Sequence, residues 1–141
     1  VNHFLKVFAF AKTIAEGEGL DRETQDILEA AAVTHDVGIR VCFEKYGSCD
    51  GQKQELEGPP IAEKLLPACG YAPAVCARVC YLIGHHHTYV GIDGADYQIL
   101  VEADFLVNIF ENGMAQAAAR KIRDNIFKTK TGRKLLTDLY L

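Results

Sequence analysis

An adjacent histidine and aspartate, His35-Asp36, close an alanine-rich run from Leu28 to Val37 just ahead of Gly38. Helical spacing puts Leu28, Ala31 and His35 on one face, so the imidazole points where the apolar side chains point. Polar groups drawn into such a place need partners, and a metal ion satisfies an imidazole and a carboxylate at once. Two other residues pose the same problem. His3 shares a stripe with Val7, Phe10 and Ile14, and Asp104 shares one with Leu100, Val101 and Val107. A lone carboxylate on so apolar a face must find a cation or take up a proton. A salt bridge or a helix cap explains any one of these residues; all three together, on three helices, favour a shared site.

The segment Gly84-His85-His86-His87-Thr88 adds three imidazoles. If the helix bearing Val75, Val79 and Leu82 continues, His86 falls in phase with them; a surface loop is the alternative. Imidazoles mixed with carboxylates suit Mn, Fe, Co, Ni or Zn and disfavour Mg, which prefers oxygen ligands. His3, His35, Asp36 and Asp104 therefore form a ligand set for one divalent transition metal, with coordination positions left for water or substrate.

The elements that must position these residues read as helical almost throughout. Gly17 and Gly19 stop the first helix, and Asp21 is the N-cap of a second that runs to His35-Asp36. Residues 38–58 contain Gly38, Gly47, Gly51 and Gly58 around a short apolar patch, Val41 to Phe43, and read as a loop with about one helical turn. Pro59 and Pro60 open a third helix that Pro67 and Gly70 keep short. A fourth runs from Pro73 towards Gly84, and a loop follows through Gly91 and Gly94. The fifth, Tyr97 to Phe110, is the most apolar and ends at Asn112-Gly113. Two more, near 114–127 and 131–140, complete an all-α, single-domain bundle over residues 1–141, with about six to seven helices in all.

Composition narrows the function classes. With 15 Lys and Arg against 19 Asp and Glu, the formal charge of -4 favours neither a nucleic-acid polymer nor an anionic membrane as partner. Arg120, Lys121, Arg123, Lys128, Lys130, Arg133 and Lys134 nevertheless crowd the last stretch, as a solvated helix face or a contact for a phosphorylated ligand or acidic partner. The 5 cysteines, odd in number and without a CxxC pair, read as reduced thiols of a cytoplasmic protein. Cys76 and Cys80, one turn apart, are either buried thiols or joint ligands of a soft metal. No apolar run is long enough to span a bilayer, and no signal peptide is visible. The chain opens at Val1 without a methionine, which reads as a cropped N-terminus with His3 near the cut. An oligomer is compatible with all of this.

The order His3, then His35-Asp36, then Asp104, on helices of an all-α domain, resembles the HD-domain superfamily of metal-dependent phosphohydrolases. "AAVTHDVGIR" resembles the family's approach to its dyad, and "VEADFLVN" resembles the helix carrying its last aspartate, so the resemblance runs from His3 through at least Asn108. It implies that His3, His35, Asp36 and Asp104 hold the metal and that a metal-activated water hydrolyses a nucleotide or other small phosphoester. Asp36 or Asp104 would accept the water's proton, and His86 or His87 would protonate the leaving oxygen. Arg40, Lys45 and Lys53 are candidates to neutralise phosphate charge. Members with two metals carry extra histidines between the dyad and the last aspartate. One lies ahead of a helix resembling "GPPIAEKLL", where this chain reads Glu55-Leu56-Glu57-Gly58; Glu57 either replaces that ligand or faces solvent. The other resembles "IGHHHTY", with His85 and His86 as candidates. One or two ions are therefore expected. Other members of the superfamily hold two irons and cleave C–C or C–P bonds with dioxygen, and others are non-catalytic signalling or ligand-binding domains. A di-iron oxygenase and a signalling domain are thus the alternatives to hydrolysis.

Overall fold

The computed structural model describes residues 2–141, and Val1 lies outside the described residues. The described chain is all-α, with eight helices: α1 (Asn2–Glu18), α2 (Arg22–Thr34), α3 (Ile39–Tyr46), α4 (Gly51–Ala68), α5 (Pro73–Ile83), α6 (Ala95–Glu111), α7 (Gln116–Asn125) and α8 (Lys130–Tyr140). Short polar caps set two of the starts, the one at Asp21 as expected and the one at Asp50 within the segment read as a loop. Asp21 accepts from Thr24 N at 2.9 Å to open α2, and Asp50 accepts from Lys53 N at 2.9 Å to open α4. Among the described residues no helix is long and apolar enough to cross a membrane.

The all-α reading holds, but residues 38–58 are not a loop. They form α3 and the first half of α4, and α4 begins at Gly51 rather than at Pro59. The glycines there do two jobs that composition does not separate. Gly47, at φ +69°, ends α3 with its N–H on Phe43 O. Gly38 and Gly58 instead permit close packing, since a Cβ on Gly38 would lie 2.8 Å from Gly58 N. Pro59 and Pro60 sit inside α4, where they cannot donate to the carbonyls of Glu55 and Leu56.

The core is organised around α6, whose Ile99, Leu100, Ala103, Leu106 and Val107 are buried. It packs against α1, α2 and α8, while α5 packs against α2 and α4, and α3 rests on α4. The cysteines are free thiols; Cys76 Sγ points to Tyr71 O and Cys80 Sγ to Pro59 O, so the pair does not converge on one ligand position. Part of the basic C-terminal stretch is spent internally. Arg133 donates to the carbonyls of Arg123 and Phe127, Arg123 pairs with Asp124, and Lys134 pairs with Asp138.

Two carboxylates hold the start of α8. Exposed Glu18 accepts from Lys130 N at 3.1 Å and from Thr131 Oγ1 at 2.6 Å. Glu102, wholly buried on α6, accepts from Gln98 Nε2 (2.7 Å), Thr129 Oγ1 (2.6 Å), Thr129 N (3.2 Å) and Lys128 N (3.3 Å). Burial pushes the Glu102 carboxyl above its usual range, and those donors pull it back. Glu102→Ala leaves several buried donors without an acceptor and is expected to lower the unfolding free energy by about 3 kcal/mol. Urea unfolding measures this; a loss below about 1 kcal/mol would show that the carboxylate does not anchor α8.

Candidate metal centre

The structure brings His3, His35, Asp36, Asp104 and His86 together. His3 Nε2 lies 3.1 Å from Asp104 Oδ1 and 3.4 Å from Asp36 Oδ2. His35 Nε2 lies 3.3 Å from His3 Nε2, 3.4 Å from Asp36 Oδ2 and 3.6 Å from Asp104 Oδ1. His86 Nε2 lies 3.8 Å from Asp36 Oδ1. Two groups of donor atoms result, each with its members within 4.8 Å of one another: His3, His35 and Asp104 in one, Asp36, His86 and His87 in the other.

The backbone explains why these imidazoles aim inward. His35 is the C-cap of α2, and His86 lies in the turn just past the end of α5. Each stands where a helix leaves its last carbonyls without intrahelical donors. His35 Nδ1–H donates to Ala32 O at 2.8 Å, and His86 Nδ1–H donates to Ile83 O at 2.7 Å, three residues back in both cases. These bonds fix the tautomer, so each Nε2 presents a lone pair to the cluster. His3 shows the same logic with a side chain, its Nδ1 lying 2.9 Å from Glu111 Oε2.

These residues fit a cation. Three Nε2 atoms and two carboxylates face one another, and lone pairs so opposed need positive charge between them. His86 Nε2 is wholly buried and has no hydrogen-bond partner among the described residues. The ionisation of the cluster tells the same story. The Asp104 hydrogen bond raises the His3 imidazole to about 9 against the cost of burial. Burial lowers His35, but Asp104 and Asp36 outweigh it and the net shift is upward. Burial would raise Asp104, yet its bonds to His3 and His35 hold it well below the usual carboxylate range. His86 goes the other way: burial pushes it down to about 3, which leaves a neutral nitrogen of the kind metals bind.

The sequence model of the HD domain matches residues 1–128. The chain belongs to the HD-domain family. The crystal structure of a predicted HD superfamily hydrolase from an uncultured Thermotogales bacterium resembles it with a TM-score of 0.69 and 26% identity, over 98% of this chain and 71% of that one. No curated protein matches it significantly.

Within this HD domain, several other candidate residues are engaged elsewhere. His85 Nδ1 bonds to Tyr81 O at 2.7 Å and its ring stacks on Tyr81, which keeps it out of both donor groups. Glu57 neither joins the cluster nor faces solvent, because it accepts from Lys45 Nζ (2.9 Å) and Tyr46 Oη (2.7 Å) on α3. Lys45 is thereby neutralised. Arg40 is exposed and pairs with Glu44 at 2.8 Å, one turn on, and Lys53 is held by Asp50 and Ser48. Each of these three cations thus has a carboxylate partner, and the pairs of Arg40 and Lys45 lie at the surface, where such pairs are weak.

Sequence reasoning missed the residues that pin the turn bearing His86 and His87. Tyr97, buried on α6, places its hydroxyl 2.8 Å from His85 O and 2.5 Å from Thr88 O and shares its one proton between them, so it holds both ends of that turn. From the other side Glu55 accepts from His87 N and Thr88 Oγ1, both at 2.9 Å. Gln54 Oε1 takes a bond from His87 Nε2 at 2.9 Å, and the His87 ring lies over Gly51, where a Cβ would sit 2.9 Å from it. A tyrosine reads as core in any helical pattern, and only the buried hydroxyl's need for acceptors pointed to a further task. Tyr97→Phe leaves these carbonyls without that donor and is expected to cost about 1 to 2 kcal/mol. Faster amide exchange at His87 and Thr88 should accompany the loss; unchanged protection there would assign the turn's order to Glu55 alone.

Proposed function

We propose that residues 1–141 act as one catalytic domain, a cytoplasmic metal-dependent phosphohydrolase whose substrate is a nucleotide or other small phosphoester. The observation that carries this reading is the convergence of His3, His35 and His86 Nε2 on Asp36 and Asp104 while each Nδ1 is already bonded. The likeness to a predicted HD superfamily hydrolase supports hydrolysis, and the free cysteines support a reducing compartment.

In this reading His3, His35, Asp36 and Asp104 hold one divalent transition metal (Mn, Fe, Co, Ni or Zn), and Asp36, His86 and His87 are the donors for a second. Such an ion, when bound, lowers the pKa of water and polarises a phosphoryl oxygen. Asp36 stands between the two donor groups, with Oδ2 towards His3 and His35 and Oδ1 towards His86, and its side chain is 22% exposed. With a single ion held on the Oδ2 side, Asp36 Oδ1 would be the carboxylate oxygen best placed to accept the proton of an attacking water. His86 has no proton to give, since its only N–H is committed to Ile83 O. His87, half-buried, also commits its Nε2–H, to Gln54, so it protonates a leaving oxygen only as an imidazolium, from Nδ1, and only when it is not itself a ligand.

Phosphate release from a panel of nucleotides and small phosphoesters is expected to persist without oxygen, to stop on chelation and to return with Mn or Co. Asp104→Ala should abolish both bound metal and turnover while keeping the helical circular dichroism spectrum. The competing reading is a di-iron oxygenase, for which the second donor group is the favouring observation. Oxygen uptake on an organic substrate, lost when Mn or Co replaces iron, would establish it in place of hydrolysis. Metal binding with neither activity would make the domain a signalling module.

A further inference from the structure

We propose that Glu111 is a positioning residue for the metal centre: with Lys6 it locks His3 as a ligand, acting through the imidazole without touching the ion. The proposal rests on the reading that the cluster holds a metal.

His35 and His86 are backed by main-chain carbonyls, which no side-chain substitution removes. His3 has no such support. It is the ligand nearest solvent in its group, with a side chain 23% exposed, and among the described residues its Nδ1 is held only by Glu111 Oε2. Glu111 is held in turn, its Oε1 lying 2.8 Å from Lys6 Nζ. The ammonium of Lys6 is itself set over the Phe110 ring at 5.7 Å.

Placement on α6 argues that this chain of contacts serves the site. Glu111 is the last residue of α6, where the helix dipole disfavours a negative charge, so its own helix gives no reason for a glutamate there. It stands seven residues after Asp104, two turns along the same face. One rigid helix therefore grips both nitrogens of His3: Asp104 Oδ1 at Nε2, 3.1 Å away, and Glu111 Oε2 at Nδ1, 2.9 Å away. A carboxylate at Nδ1 accepts, which keeps the proton on Nδ1 and the lone pair on Nε2. Without Glu111, His3 has an alternative, donating Nε2–H to Asp104, and that arrangement closes both atoms to a cation.

The test is zinc affinity of the full chain, read by competition with a chromophoric chelator, alongside thermal unfolding of the metal-free protein. Removing an outer partner of a metal-bound histidine typically weakens binding ~10- to 100-fold. Glu111→Ala is expected to lose that much while its metal-free unfolding midpoint stays near wild type. Glu111→Gln, which keeps an acceptor without the charge, should lose less, and Lys6→Met should lose least. Histidine ring NMR of the zinc-loaded protein should show the His3 Nδ1 proton protected in wild type and exchanging in Glu111→Ala. Should Glu111→Ala fail to fold, Glu111→Gln and Lys6→Met carry the same ordering. Equal zinc affinity in wild type and all variants overturns the proposal and leaves the metal centre intact. Failure of wild type to bind zinc, Mn or Co overturns the proposal and the metal reading together.

Discussion

The site depends on two hydrogen bonds from imidazole Nδ1 to the carbonyls that end a helix. α2 and α5 both stop with carbonyls lacking intrahelical donors, and His35 and His86 supply them. The same contact satisfies the backbone, fixes the tautomer and turns Nε2 towards the space beside α6. The helix ends therefore build the candidate metal centre, and its geometry is as rigid as the packing of α2 and α5 on the core. This also explains why a histidine can be wholly buried beside Asp36 without being a packing fault.

α6 is the other half of the device. It is the most buried helix, yet it carries Tyr97, Glu102, Asp104 and Glu111, four polar side chains with separate tasks. Tyr97 holds the turn of His86 and His87, Glu102 holds the start of α8, and Asp104 and Glu111 bracket His3. Such residues are costly on an apolar helix unless each finds its partners. Their spacing along one axis means that a shift of α6 would disturb the cluster and the end of the bundle together.

The helical class, the dyad, Asp104 and His3 were legible because each broke an apolar period, and a polar residue in phase with a core stripe is a physical anomaly wherever it occurs. Residues 38–58 were not legible, because glycine serves both to end helices and to let them approach, as Gly47 and Gly38 show. His85 could not be separated from His86 and His87 by spacing, since three consecutive residues in a turn point three ways, and only the Tyr81 carbonyl and ring decide that His85 turns aside. Glu57 and Lys45 read as separate polar residues twelve positions apart; their pairing exists only because α3 folds back along α4.

Two buried carboxylates on α6 show how a structural acid differs from one placed for chemistry. Glu102 and Asp104 are two residues apart and both nearly free of solvent. Glu102 receives hydrogen bonds from amide and hydroxyl groups that donate without any change of protonation, so protein donors alone satisfy its oxygens. Asp104 is met instead by His3 and His35, whose facing nitrogens are acceptors once their Nδ1 protons are committed. An ion pair that exists only when the imidazoles take up protons is a site in which a proton and a metal ion compete for the same lone pairs. Burial therefore does not distinguish the two carboxylates; the kind of atom that answers each one does, and on that criterion Asp104 is the one arranged as a ligand.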